Sequence, residues 1–213
     1  MDLGAVRHNV VTLKRRAPNS RLMAVVKADA YGHGSVEVAR VCVEAGADSL
    51  AVVTVEEGAE LRRAGMEAPI LVFTDLLPDK LQLAGEYRLA VTAHSIPSAR
   101  RIAAHPGLEA HLKVNTGMNR WGVEPPEVGE ARKILGPRLA GVYTHFASAD
   151  SDEGETRRQI ESFESVLASQ PFGGVLVHAG ESNPDLRNMH AHRASLTTDA
   201  RLRPVRGPCL RWE

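Results

Sequence analysis

A chain of 213 residues has room for one substantial core, and its 26 basic and 26 acidic side chains leave no charge excess to favour nucleic acid. Hydrophobic content of 43% and charged content of 24% are those of a globular protein in water. Its longest apolar runs are strand-length, which excludes a membrane-spanning helix.

The N-terminus carries Asp2, Arg7 and His8 without an apolar stretch, so no secretory signal is expected. Ala5, Val6, Val10 and Leu13 recur at helical spacing, which predicts a helix over 5–16. Next comes Met23-Ala24-Val25-Val26-Lys27-Ala28-Asp29-Ala30-Tyr31-Gly32-His33-Gly34. It begins as a buried strand, ends on a lysine, and passes into a turn marked by a tyrosine and two glycines. An ammonium at a buried strand end is costly to desolvate, and burial would make its amine a better nucleophile toward carbonyls. The bland alternative is a strand-tip lysine that reaches solvent.

Further strand-like runs follow at Ser49–Thr54, Pro69–Thr74, Leu89–Ala93, His111–Asn115, Leu139–His145 and Gly174–His178. Helical stretches lie between them. Ser35 can cap one whose Val36, Ala39 and Val43 share a face. Thr54-Val55-Glu56-Glu57 has the pattern of a capping box. Ser95, with Pro97 in the first turn, starts another helix. Phe163, Val166 and Leu167 give one face to the long charged segment after Asp150. The only cysteines, Cys42 and Cys209, are far apart, so reduced thiols in a cytoplasmic protein are expected, with no metal site.

Strands separated by helices at these intervals predict parallel β/α units with right-handed crossovers. Unit length leaves a doubly wound sheet and a (β/α) barrel both open. No Gly-x-Gly-x-x-Gly follows the first strand, which weighs against a dinucleotide fold. Lys27, Thr54, Asp75, His94, Asn115 and His145 gather at strand C-terminal ends, where either architecture assembles its site.

Three segments carry a resemblance. Val25-Val26-Lys27-Ala28-Asp29-Ala30-Tyr31-Gly32-His33-Gly34, Leu112-Lys113-Val114-Asn115-Thr116-Gly117-Met118-Asn119-Arg120-Trp121-Gly122 and Gly141-Val142-Tyr143-Thr144-His145-Phe146-Ala147-Ser148-Ala149-Asp150 resemble segments of alanine racemases. The opening Asp2-Leu3-Gly4-Ala5 resembles that family's opening, with the residues usually before it trimmed. The resemblance implies an α/β fold of the (β/α)8 TIM-barrel type and the cofactor pyridoxal 5'-phosphate (PLP). It implies that Lys27 links covalently to PLP and serves as a base, and that Tyr31 contacts the cofactor phosphate. It places His145 beside the cofactor ring, and His178 in Val175-Leu176-Val177-His178-Ala179 along the site. It assigns Arg120 to the substrate carboxylate; arginine's planar fork suits that role. Lys113 is expected to orient Arg120, and in some members the matching lysine is carbamylated. The expected partner is a small amino acid, alanine in the family, and the family's enzymes are homodimers. The base on the opposite face comes there from the partner's C-terminal domain. That base is a tyrosine, and none of Tyr31, Tyr87 and Tyr143 stands in a segment resembling the one that carries it.

The match is expected to run over 1–179 as one barrel domain, with 180–213 a divergent tail and no second domain. Instead of the family's phosphate-binding segment and last strand, Gly180-Glu181-Ser182-Asn183-Pro184 follows, and prolines interrupt the remainder. Arg206-Gly207 could be a remnant of that last strand, and a change of coding frame after Ala179 would account for the break. About seven strands would leave an open seam with unpaired edges. The chain is then expected to be a truncated, impaired racemase-like domain of D-alanine biosynthesis for the cell wall. The alternatives are a PLP-binding protein of cofactor homeostasis and a nonfunctional fragment.

Overall fold

The computed structural model describes residues 2–149 and 151–180, and the backbone of 194–199. Strands and helices alternate along it. Strands β1 (Leu22–Val25), β2 (Ser49–Val52), β3 (Ile70–Val72), β4 (Ala90–Ala93), β5 (Ala110–Lys113), β6 (Leu139–His145), β7 (Leu176–Gly180) and β8 (Ala194–Asp199) pair in chain order as a closed parallel barrel. The (β/α)8 fold expected from sequence is therefore the fold observed. The first seven strands lie within two residues of the predicted runs at nearly every boundary.

The eighth strand corrects the expectation of an open seam. Val177–Gly180 pairs with Ala194–Thr197 on one side, and Leu22–Val25 pairs with Leu196–Asp199 on the other. Backbone hydrogen bonds close a ladder whatever the side-chain pattern, which is why a segment without a clear hydrophobic period can still serve. The rest of the tail, including Arg206-Gly207, lies outside the described residues.

The helices lie on the sequence signals that predict them. Helix α1 (Leu3–Arg16) is capped by Asp2, and Val6, Val10 and Leu13 are its buried stripe. The segment Lys27–Gly32, α2, leads into α3 (Ser35–Glu44), whose N-cap is Gly34; Ser35 is the first helical residue. This corrects the expected Ser35 cap: the Ser35 N–H donates to Asp29 Oδ1 at 2.7 Å, so a side chain six residues upstream satisfies that amide. Helix α4 (Val55–Arg63) opens with the predicted Thr54–Glu57 capping box. Helix α5 (Pro78–Glu86) follows, then α6 (Ile96–Ala103), which Ser95 caps as expected with Ser98 as its reciprocal partner. Helices α7 (Val128–Leu135) and α8 (Glu153–Ser169) complete the ring; Phe163 and Val166 anchor α8. None of the helices described is long and apolar enough to cross a membrane.

Strand alternation divides the core in two. Leu22, Ala24, Val26, Leu50, Val52, Ile70 and Val72 face outward and join Val38, Ala39, Leu61 and Leu81 from the helices in one large cluster. Met23, Val25, Ala51 and Leu71 face inward and fill one side of the barrel, against Phe73 and Ala90. The opposite inner wall, from β4 to β7, is polar.

Candidate active site

The inward parity of each strand decides which side chains can meet. On β1, Met23 and Val25 point in, and Lys27 continues that register past the strand end. On β5, His111, Lys113 and Asn115 share one face, as do Gly141, Tyr143 and His145 on β6. The C-terminal mouth of the barrel therefore receives Lys27, Lys113 and His145 from three strands. Arg120 arrives on the loop after β5.

Lys27 is half-buried, not buried as the strand pattern suggested, because β1 ends at Val25 and the chain turns away at once. The turn does not wait for the glycines. Ala28, Asp29, Ala30 and Tyr31 have φ of 51°, 53°, 50° and 57° with ψ near 40–48°, a full turn of left-handed helix made without glycine. Such a conformation costs roughly 1–2 kcal/mol per residue and persists only where the surroundings over-determine it. Here Ala30 N–H donates to Val26 O at 3.0 Å and His33 N–H to Asp29 O at 3.0 Å. Glu57 accepts from Ala28 N–H at 2.7 Å. The turn sets Tyr31 one helical repeat beyond Lys27, with Lys27 Nζ 5.6 Å from the centre of the tyrosine ring.

The loop after β5 is closed at its base. Val114 and Val123 form a bridge; Asn115 N–H donates to Val123 O at 2.9 Å, and Val123 N–H to Lys113 O at 2.8 Å. Asn115 organises the interior: its Oδ1 accepts from Asn119 N–H at 3.0 Å, and its Nδ2 donates to Glu124 Oε1 at 2.7 Å. Gly122, at φ 139°, is required here, since a Cβ would lie 2.7 Å from Asn115 N. The loop so tied presents Arg120 and Trp121 to solvent, and the Trp121 ring tilts against His94 at 5.2 Å.

Lys113 is only 4% exposed. Burial, and then the like charge of Arg120, hold its ammonium down to about 8. Among the described residues no carboxylate pairs with it. Near physiological pH this amine is still mostly protonated, but its neutral share, roughly a tenth to a fifth, is far above that of an exposed lysine.

Beneath the mouth lies a polar layer that the sequence reading did not assemble. His111 Nδ1 stands 2.7 Å from His178 Nε2, and the His178 ring stacks on Tyr143 with centroids 4.6 Å apart and planes 12° from parallel. Thr92 Oγ1 donates to Val72 O at 2.8 Å and lies 3.4 Å from Tyr143 Oη. His178 is fully buried, so it lies in the barrel interior and not on the open mouth; its Nδ1 is a buried nitrogen without a partner among the described residues. Desolvation holds His111 down to about 4 and His178 well below the usual imidazole range. Burial also lowers His94 to about 4, and raises the Tyr143 phenol well above its ordinary value. The layer is thus a set of neutral polar groups.

His111 stood at the start of a predicted strand, and Tyr143 inside a quoted segment, each without a role. Their signal was parity: each lies two residues before a mouth residue on the same strand face. Gln159 gave no signal at all. It is fully buried on α8 and accepts from Ala147 N–H at 3.0 Å, while its Nε2 stands where a Cβ on Gly117 would come within 3.2 Å. It sits between the loops after β5 and β6.

A primary amine, an adjacent phenol, an arginine and a histidine around one barrel mouth form a donor set that fits an aldehyde cofactor with an anionic group. The family model "Alanine racemase, N-terminal domain" matches residues 1–199, twenty positions further than the resemblance read from sequence. Alanine racemase 1 of Bacillus subtilis is 42% identical over 197 residues, covering 88% of this chain and 51% of that protein. The alanine racemase of Desulforamulus reducens is 45% identical over 179 residues, 78% of this chain and 48% of its own length. Among solved structures, the Corynebacterium glutamicum alanine racemase superposes with a TM-score of 0.84 at 30% identity, over 94% of this chain and 61% of that one. The Bacillus anthracis alanine racemase with bound L-Ala-P gives 0.81 at 31% identity, over 92% and 55%. The chain spans about half the length of the curated relatives it matches. With a family model matched over 199 consecutive residues and a barrel that superposes on solved members, the chain belongs to the alanine racemase N-terminal domain family.

Proposed function

We propose that this chain is the cofactor-holding barrel of a PLP-dependent amino-acid racemase, with alanine as its substrate class and a homodimer as its working assembly. The observation that carries the reading is the convergence of Lys27, Lys113, Arg120 and His145 on one barrel mouth within this family. When bound, PLP supplies an electron sink that acidifies the α-hydrogen of an amino acid. The protein's part is to hold and to move protons.

In this reading the Lys27 amine would hold the cofactor and would take or return the α-proton on one face. Tyr31 would bind the cofactor phosphate, and His145 would line the ring. Arg120 holds the substrate carboxylate through its planar fork, on a loop already braced by Asn115. Lys113 sets Arg120: uncharged it removes a repulsion, and carbamylated it becomes a counter-ion. The neutral layer of His111, His178 and Tyr143 places no charge beneath the site.

Racemisation needs a base on each face. Tyr143 is buried, Tyr31 stands on the Lys27 side, and Tyr87 precedes β4 at the other end of the barrel. In this reading the second base is, as the resemblance implies, a group of the partner subunit, and none of these three tyrosines is assigned that role. We expect the isolated chain to exchange the α-hydrogen of alanine with solvent faster than it inverts the centre. Incubation with PLP, reduction with borohydride and peptide mass spectrometry test the anchor. The adduct should map to Lys27 and vanish in Lys27→Ala; an adduct spread over surface lysines would refute the reading.

A further inference from the structure

We propose that Glu57 is a positioning residue for Lys27, holding the left-handed turn that aims the lysine. The inference rests on the reading of Lys27 as the cofactor lysine. The sequence assigns Glu57 only a helix-capping role, and a cap needs one bond to the Thr54 N–H, which Glu57 Oε2 accepts at 3.0 Å. The same oxygen accepts from Val53 N–H at 2.7 Å. The other oxygen reaches out of its own helix to the Ala28 N–H at 2.7 Å. One carboxylate thus binds the backbone of the β1 loop to that of the β2 loop.

The place it grips matters. Ala28 is the first left-handed residue and the immediate neighbour of Lys27. The turn's ladder begins with Ala30 N–H donating to Val26 O, so Ala28 N–H, in the first turn, has no acceptor within it, and Glu57 provides one. Asp29 secures the far side by accepting from Ser35 N–H at 2.7 Å. An L-residue enters the left-handed region reluctantly, so loss of the Glu57 contact should let Ala28 relax toward ordinary backbone and swing Lys27 away from the mouth.

The test uses two substitutions and two readouts. In cofactor-free protein, hydrogen exchange of the Lys27–Tyr31 peptide should speed up at least tenfold in Glu57→Ala, while α1 stays protected. With PLP added, the Lys27 amine condenses with the aldehyde, losing one water, and borohydride fixes the link by delivering hydride. The PLP concentration for half-capture at Lys27 should rise about tenfold in Glu57→Ala. Ala28→Gly in that background should recover at least threefold, because glycine adopts the turn without the Cβ penalty. A cap acting only on α4 gives no such rescue. Parental capture by Glu57→Ala, or a loss that Ala28→Gly leaves untouched, overturns the proposal. Should Glu57→Ala fail to fold, Glu57→Asp carries the same comparison, because its shorter side chain keeps a carboxylate at the start of α4 but draws it back from the Ala28 N–H. A parent chain with no adduct at Lys27 instead sinks the cofactor reading itself.

Discussion

His111 on β5 reaches His178 on β7 by crossing over β6 where Gly141 has no side chain. The two nitrogens are 2.7 Å apart, and a Cβ on Gly141 would stand 2.4 Å from His111 Nδ1, the atom that makes the bond. Register places His111 opposite Gly141, so a glycine in the middle of a strand opens the inner wall to an imidazole.

Gly141→Ala should therefore be costly where a strand glycine is usually neutral or unfavourable. The added methyl must displace His111 and break its contact with His178. We expect a loss of about 1–3 kcal/mol in urea denaturation, the range for overpacking a filled core. Adding His111→Ala in the same chain should recover part of it, since the obstructing ring is then gone.

The buried imidazoles make stability fall with acid. His94 and His111 are held down to about 4, and His178 lower still, against about 6.5 for the unfolded chain. The unfolded state thus binds more protons over that interval, and stability declines as pH falls from about 6.5 through 4. Denaturation midpoints at pH 7 and pH 5 should differ, and the difference should shrink in His111→Gln. A midpoint independent of pH over this range would contradict the burial assigned to these rings.

Lys113 works in the opposite range. Its folded value of about 8 lies below the unfolded lysine value, so stability should rise as pH increases between about 8 and 10.5. A neutral amine beside Arg120 can also add carbon dioxide. With labelled bicarbonate, a carbamate carbon signal should appear that Lys113→Ala abolishes. Lys113→Met should remove the alkaline rise in stability.

Gln159→Leu should loosen two loops together. The Ala147 N–H would lose its acceptor in the interior, which costs about 1–3 kcal/mol. Because the loop carrying Arg120 packs on the same side chain through Gly117, PLP-loaded protein should also bind alanine more weakly. Calorimetry on Gln159→Leu against Gln159→Glu, which retains an acceptor oxygen, separates the contact from simple packing.

Much of the framework was legible before any coordinates. Apolar runs such as Leu22–Val25 and Leu139–His145 are strands because both faces are buried, and burial writes itself into composition. Thr54 with Glu57, and Ser95 ahead of Pro97, mark helix starts through bonds between near neighbours in the chain. The candidate site residues Lys27, Tyr31, Lys113, Arg120, His145 and His178 came from the family resemblance alone, because strand and helix patterns give no side chain a chemical role.

What the chain alone determined was thus whatever depends on neighbours in sequence: element type, caps, strand parity, and the motifs that carry the resemblance. Only the folded barrel decided the rest. The left-handed sense of Ala28–Tyr31 needs Glu57 from another helix, since local propensity opposes it. The His111–His178 contact needs β6 between its strands, and the closing of the barrel by Ala194–Asp199 needs free edges on both β7 and β1. Each joins groups distant in sequence through bonds that no local pattern records.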